Sequence, residues 1–194
     1  GDHAHSEGRV ALINLKTMNT SWHSFLPDPL CMVCSELPDD SPSAARILLK
    51  PSPKVNPDSY RSRSMDDLGK ILVKDYLDNR MGFLNNKMID LVPPFADVSV
   101  NLPLFIGDEG VAGRTNSYAI SEMTAILEGL ERYCGVEPRG KRTVIHDSYR
   151  NLKDQALDPR KIGVHSKEHY QQPDFPFKPF HPDRSINWVW GYSF

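Results

Sequence analysis

The chain has 194 residues, with 23 Lys and Arg against 25 Asp and Glu for a net charge of −2, so it offers no basic field to draw in nucleic acid or an anionic membrane surface. At 39% hydrophobic and 9% aromatic content it has the means to bury a core, which excludes a disordered chain. No apolar run approaches the roughly 18–20 residues that span a bilayer. Three cysteines are too few and oddly numbered for a disulfide framework, and a reducing, cytoplasmic setting is expected.

Taken in chain order, Gly1 to Arg9 lacks the charged and apolar regions of a secretion signal, and His3 and His5 read as a tail. Arg9 to Met18 reads as a strand. Cys31 and Cys34 follow at C-x-x-C spacing, which lets two thiolates reach one tetrahedral Zn²⁺ but supplies only half of a structural site. A redox pair or two incidental cysteines are the alternatives; the prolines just ahead suit a redox pair poorly, because that needs a helix start. Cys134 is expected to be a buried core thiol.

Residues 35–62 are rich in Pro, Ser and Asp and read as a boundary, with 41–62 a linker and ARILLK (45–50) a short strand within it. Ser64 and the acids Asp66 and Asp67 predict a helix through about Leu77. Phe83 to Val92 and Phe95 to Leu102 read as strands parted by Pro93 and Pro94, and Pro103 to Gly113 as a glycine-punctuated connection.

The strongest element is the helix expected between Asn116 and Gly135. Asn116 or Ser117 is its predicted N-cap, and Gly135 its left-handed stop. Ala119, Met123, Ile126, Leu127, Leu130 and Cys134 form an apolar stripe. Ser121, Thr124, Glu128, Glu131 and Arg132 form a polar one, which read by itself is a solvated face. Downstream, 143–145 is a short strand, 148–157 a weak helix, 161–180 irregular, and 186–194 a strand. The elements show no βαβ rhythm, so an α+β fold is expected, a mixed sheet with packed helices. The histidines show no ligand spacing, the i,i+4 pair His165 and His169 reading as a solvated turn. There is no P-loop, nucleophile elbow or H-E-x-x-H motif.

Thr124-Ala-Ile-Leu-Glu128-Gly-Leu-Glu131-Arg132 resembles the Ser-x-x-x-Glu-x-x-Glu-Arg helix of the YcaO family, ATP-dependent enzymes that activate peptide backbone amides. Gly113-Arg114-Thr115 resembles the Gly-Lys-Gly lead-in, with the second glycine lost. Ala156-Leu-Asp-Pro159 and Ile186-Asn-Trp-Val-Trp-Gly-Tyr-Ser193 resemble the azole-forming branch. The Pro29-Leu-Cys-x-x-Cys34 segment looks like the close of a ThiF-type partner domain, which assigns residues 1–40 to that tail and 63–194 to the front of a YcaO-like domain.

The resemblance implies a cyclodehydratase that uses ATP and Mg²⁺ to make thiazoline or oxazoline rings in a ribosomally synthesised precursor peptide, as in bacteriocin maturation, held by a ThiF-type leader-binding domain or subunit. Thr124, Glu128, Glu131 and Arg132 would form the ATP/Mg²⁺ site, with Glu128 and Glu131 as Mg²⁺ ligands and no enzyme nucleophile. Thioamide or amidine formation at the same site and a non-catalytic scaffold remain alternatives, and a homodimer is left open. Further acidic ligands are implied beyond Phe194, so this stretch alone is expected to be inactive. A second C-x-x-C is implied upstream of Gly1, so that Cys31 and Cys34 would hold Zn²⁺ only in an intact parent protein.

Overall fold

The computed structural model describes residues 8–33, 35–104 and 107–194. In chain order the elements are β1 (Arg9–Ile13), β2 (Thr20–Ser24), the single turn α1 (Pro42–Ala45), α2 (Met65–Tyr76), β3 (Asn85–Asp90), β4 (Ala96–Leu104), β5 (Gly107–Thr115) and α3 (Tyr118–Val136). There follow β6 (Ile145–Ser148), three one-turn helices α4 (Tyr149–Leu152), α5 (Pro159–Ile162) and α6 (Lys167–Tyr170), and β7 (Ser185–Trp188). The ladders β1-β2, β3-β4-β5 and β6-β7 are all antiparallel. Helices and ladders together make the α+β fold the sequence predicts. In place of the one mixed sheet expected, the described residues form three separate antiparallel sheets, because each described ladder joins neighbours in sequence or a returning strand. The chain divides into two units, Gly1–Ser35 with Leu49–Arg139, and Glu36–Leu48 with Gly140–Phe194.

In the first unit β4 is the middle strand. Its period-two set Ala96, Val98, Val100 and Leu102 is buried, and Val100 and Leu102 share a core cluster with Val111, Leu84, Leu72 of α2, and Met123, Ala125 and Ile126 of α3. The helix α3 packs on β4 and β5, and α2 on α3. The start of α2 is as predicted: the Ser64 hydroxyl accepts from the Asp67 N–H at 3.0 Å, with Asp66 and Asp67 in the first turn, where carboxylates favour the dipole.

The helix α3 departs from its predicted face. Its buried residues are Ser121, Met123, Ala125, Ile126 and Gly129, whereas Ala119 and Cys134 are exposed. Small residues at 121, 125 and 129 let the helix lie close to the sheet, and a small polar side chain such as Ser121 is invisible to an apolar-stripe reading. Ser117 is the N-cap residue without a side-chain capping bond. The helix runs through Gly135 to Val136 and ends on an extended Glu137, so Gly135 is not a left-handed stop.

The segment read as a connection, Pro103 to Gly113, is instead largely strand. β5 pairs with β4 from Leu104↔Gly107 to Ala96↔Thr115. Its Gly, Asp and Glu content hides it from propensity, but at Gly113 glycine is a steric requirement: a Cβ there would sit 1.9 Å from the Ser121 carbonyl oxygen. The strand predicted at 9–18 ends at Ile13, and the chain then turns through Met18 at φ 57° to pair β2 with β1 as a hairpin. Residues 46–50 have no regular structure, α1 ending at Ala45.

The hairpin is pinned within its unit by His23, whose Nδ1 lies 2.9 Å from Asp78 Oδ1. Asp78 also accepts from the N–H groups of Arg80 at 2.9 Å, Met81 at 3.0 Å and Ser24 at 3.3 Å. Burial pushes the Asp78 carboxyl up, but these donors outweigh it and bring the group down to about 2.

In the second unit the Asp40 side chain is fully buried, with Lys141 Nζ at 2.7 Å from Oδ1. The Trp190 N–H donates to Oδ2 at 2.8 Å. Burial raises this carboxyl, and Lys141 with the Trp190 and Ser41 N–H groups more than offsets it, leaving it below its ordinary value. β7 stops at Trp188, short of the strand expected to Phe194, and α5 and α6 interrupt the stretch expected to be irregular.

Candidate functional site

The site is built where α3 crosses β5. Glu128 turns toward the strand: Oε2 accepts from the Ala112 N–H at 2.9 Å, and Oε1 accepts from Arg132 Nε at 3.1 Å and Nη2 at 2.9 Å. Burial raises the Glu128 carboxyl, but the Ala112 N–H, Arg132 and the nearby Arg114 together lower it, so it is ionised at neutral pH. Arg132 reaches past Glu128 to Glu109 on β5, Nη1 lying 2.5 Å from Oε1. The guanidinium is raised first by the Glu128 hydrogen bond and charge, and also by Glu109 and Glu131.

Glu131 faces solvent and has no ion pair among the described residues, although its charge is felt at Arg132. Thr124 donates its hydroxyl proton to the Ile120 carbonyl at 2.8 Å, which leaves only its oxygen lone pairs for a ligand. Of the four predicted site residues, the structure joins Glu128 to Arg132 directly and leaves Glu131 and Thr124 beside them without a mutual contact. Two cavities, of about 550 and 450 Å³, lie elsewhere, and Glu128, Glu131 and Arg132 line neither.

Glu109, Arg114 and the Ala112 N–H escape a reading of the helix alone. Arg114 stands opposite Asp97 in the β4-β5 register, with Nε 2.6 Å from Oδ2. Glu109 keeps period two with Val111 and Gly113, the strand positions buried beneath α3. That alternation is the one sequence signal that would have found it, had 107–115 been read as a strand.

Magnesium takes one or two carboxylates and completes its shell with phosphate oxygens and water, and arginine matches phosphate as a planar fork. An ionised Glu128, an unpaired Glu131 and the guanidinium of Arg132 therefore fit Mg²⁺–nucleotide in donor type and number. Cys31 is half-buried, while Cys34, its predicted zinc-site companion, lies outside the described residues. Among the described residues no three His, Cys, Asp or Glu side chains gather into a metal site, and none of the helices is long and apolar enough to cross a membrane. His165 and His169 meet edge to face among aromatic rings, centroids 6.2 Å apart.

Comparison with curated proteins gives no match. Residues 112–194, which begin at the amide that holds Glu128 and include the whole of α3, match the model of the YcaO family, described as YcaO cyclodehydratase, ATP- and Mg²⁺-binding.

Proposed function

We propose that this protein carries the nucleotide-binding helix of an ATP-dependent cyclodehydratase that acts on peptide backbone amides. The observation that carries the reading is the ionised Glu128, fixed to β5 by the Ala112 N–H with Arg132 one turn away, inside the segment that matches the YcaO model. In the azoline-forming reaction a Cys, Ser or Thr side chain of the peptide substrate attacks the preceding carbonyl carbon. ATP, as co-substrate, supplies the phosphoryl group that makes the former carbonyl oxygen a leaving group. The C–O bond then breaks, phosphate departs with that oxygen, and the amide nitrogen loses its proton as the ring C=N forms.

The residues of this chain act by position and charge, which is most of what phosphoryl transfer asks of a protein. Glu128 and Glu131, one helical turn apart, present carboxylates to Mg²⁺. Arg132 offers its fork to phosphate oxygens, and Thr124 offers an acceptor to a metal-bound water. The ribosomally made precursor peptide, a ThiF-type leader-binding region and a cytoplasmic location belong to the same proposal, as does zinc at Cys31 and Cys34 in a longer parent.

The test is Mg²⁺-dependent ATP binding by calorimetry, comparing wild type with E128Q and with E131Q. Because Glu131 is exposed, E131Q leaves the fold intact. Each variant is expected to weaken binding by about tenfold, roughly 1.4 kcal/mol. Unchanged affinity in both would overturn the reading. It would favour a docking module instead, to which the fully exposed Met32 and Val33 are suited.

A further inference from the structure

The second unit holds a cleft of about 550 Å³ whose lining contains three aromatic rings and four potential cations but no carboxylate. The cations are His165, Lys178, His181 and Arg184. Lys178 and Arg184 have no acidic partner among the described residues; Arg184 donates only to the Pro179 carbonyl, at 3.0 Å. Asp183, between His181 and Arg184 in the chain, pairs with the Arg150 guanidinium, Nη2 at 2.9 Å from Oδ2, and the same Oδ2 lies 3.6 Å from His181 Nδ1. His181 Nδ1 accepts from the Asp183 N–H at 3.3 Å, which leaves Nε2 as the ring's donor.

Aromatic rings supply the other half of the cleft. Phe177 stacks on His165, with centroids 5.2 Å apart and planes 18° apart, yet remains 59% exposed. An aromatic face left open beside Lys178 and Arg184, which no carboxylate neutralises among the described residues, is costly to keep in water and complementary to a flat ring that carries negative charge. A simple inorganic anion would leave the rings wet, and a neutral ring would leave the cations unmatched.

We propose that this cleft binds a planar aromatic anion, the ring against Phe177 and the charge between Lys178 and Arg184. A nucleoside monophosphate and an aromatic carboxylate share that chemistry. The inference stands on the second unit alone and does not depend on the role given to Glu128.

The experiment follows the ring protons of His165 and His181 by NMR, without Mg²⁺, as AMP, 1-naphthoate or inorganic phosphate is added. At least one of the two aromatic anions should shift both rings and bind about tenfold more tightly than phosphate. Which of them does so tells a nucleotide site from a carboxylate site. The double variant Lys178→Glu with Arg184→Glu, both side chains being exposed, should weaken that binding at least as much. Phe177→Ala should erase the preference for an aromatic anion over phosphate. Equal binding of phosphate, undiminished binding by the charge-reversed variant, or no shift with either aromatic anion at millimolar concentration would each overturn the proposal.

Discussion

Arg132 is shared between two carboxylates, Glu128 on its own helix and Glu109 across on β5, and only one of the two lies in the segment matched to the YcaO model. An exposed pair of this kind contributes little to folding, so cutting it changes mainly what the guanidinium is free to hold. E109Q is expected to release Nη1 for phosphate and to tighten Mg²⁺–ATP binding about two- to fivefold with no change in melting temperature. Weaker binding by calorimetry would instead place Glu109 among the groups that hold the metal. The Glu128–Arg132 half of this arrangement was legible in the sequence because i,i+4 spacing on a helix is a contact rule. The Glu109 half was not, because it exists only once β5 is paired and the strand's alternation aims residue 109 at α3.

At the scale of elements, the junction of β5 and α3 carries the site. The Ser121 hydroxyl donates to the Ala96 carbonyl at 2.6 Å and accepts from the Thr115 N–H at 3.0 Å, tying the helix to both β4 and β5. Directly above, Gly113 leaves room for the Ser121 backbone. G113A forces a methyl group into a carbonyl oxygen that cannot move without lifting the helix. It is expected to cost about 3 kcal/mol or more, read as a drop in the urea midpoint, with Mg²⁺–ATP affinity lost in parallel because Ala112 no longer meets Glu128. The helices α2 and α3 were legible because cap, charge and period agree within each. β5 was not: glycines and acids erase its propensity, and its reason for existing lies in the helix it supports. The same holds for the buried face of α3, where Ser121, Ala125 and Gly129 are chosen for size rather than hydrophobicity.

For the whole molecule, pH is the natural probe. The Asp78 carboxyl lies at about 2 in the folded chain against 3.8 unfolded. A depressed carboxyl contributes stability that is fully present above the unfolded value and is lost as pH falls through the folded one. Its share, on the order of 1–2 kcal/mol after solvent screening, should therefore drain away between about pH 4 and pH 2. Thermal melts of wild type and D78N across that window should converge as the pH falls; parallel curves would show that the hairpin pin contributes no linkage. Net charge and composition fixed the broad class, a folded chain without a basic surface, but could say nothing of these pins, which join residues far apart in the sequence.

The buried Asp40 gives this a temporal side. The amide that satisfies its second oxygen comes from Trp190, 150 residues later, whereas β3, β4, β5 and α3 are contiguous. During synthesis the sheet with its crossing helix can assemble as soon as α3 has left the ribosome. Residues 36–48 must wait until Trp190 has emerged before their acid finds both partners. A nascent chain released before Trp190 would thus carry a folded α3 on its sheet and an open, protease-accessible remainder.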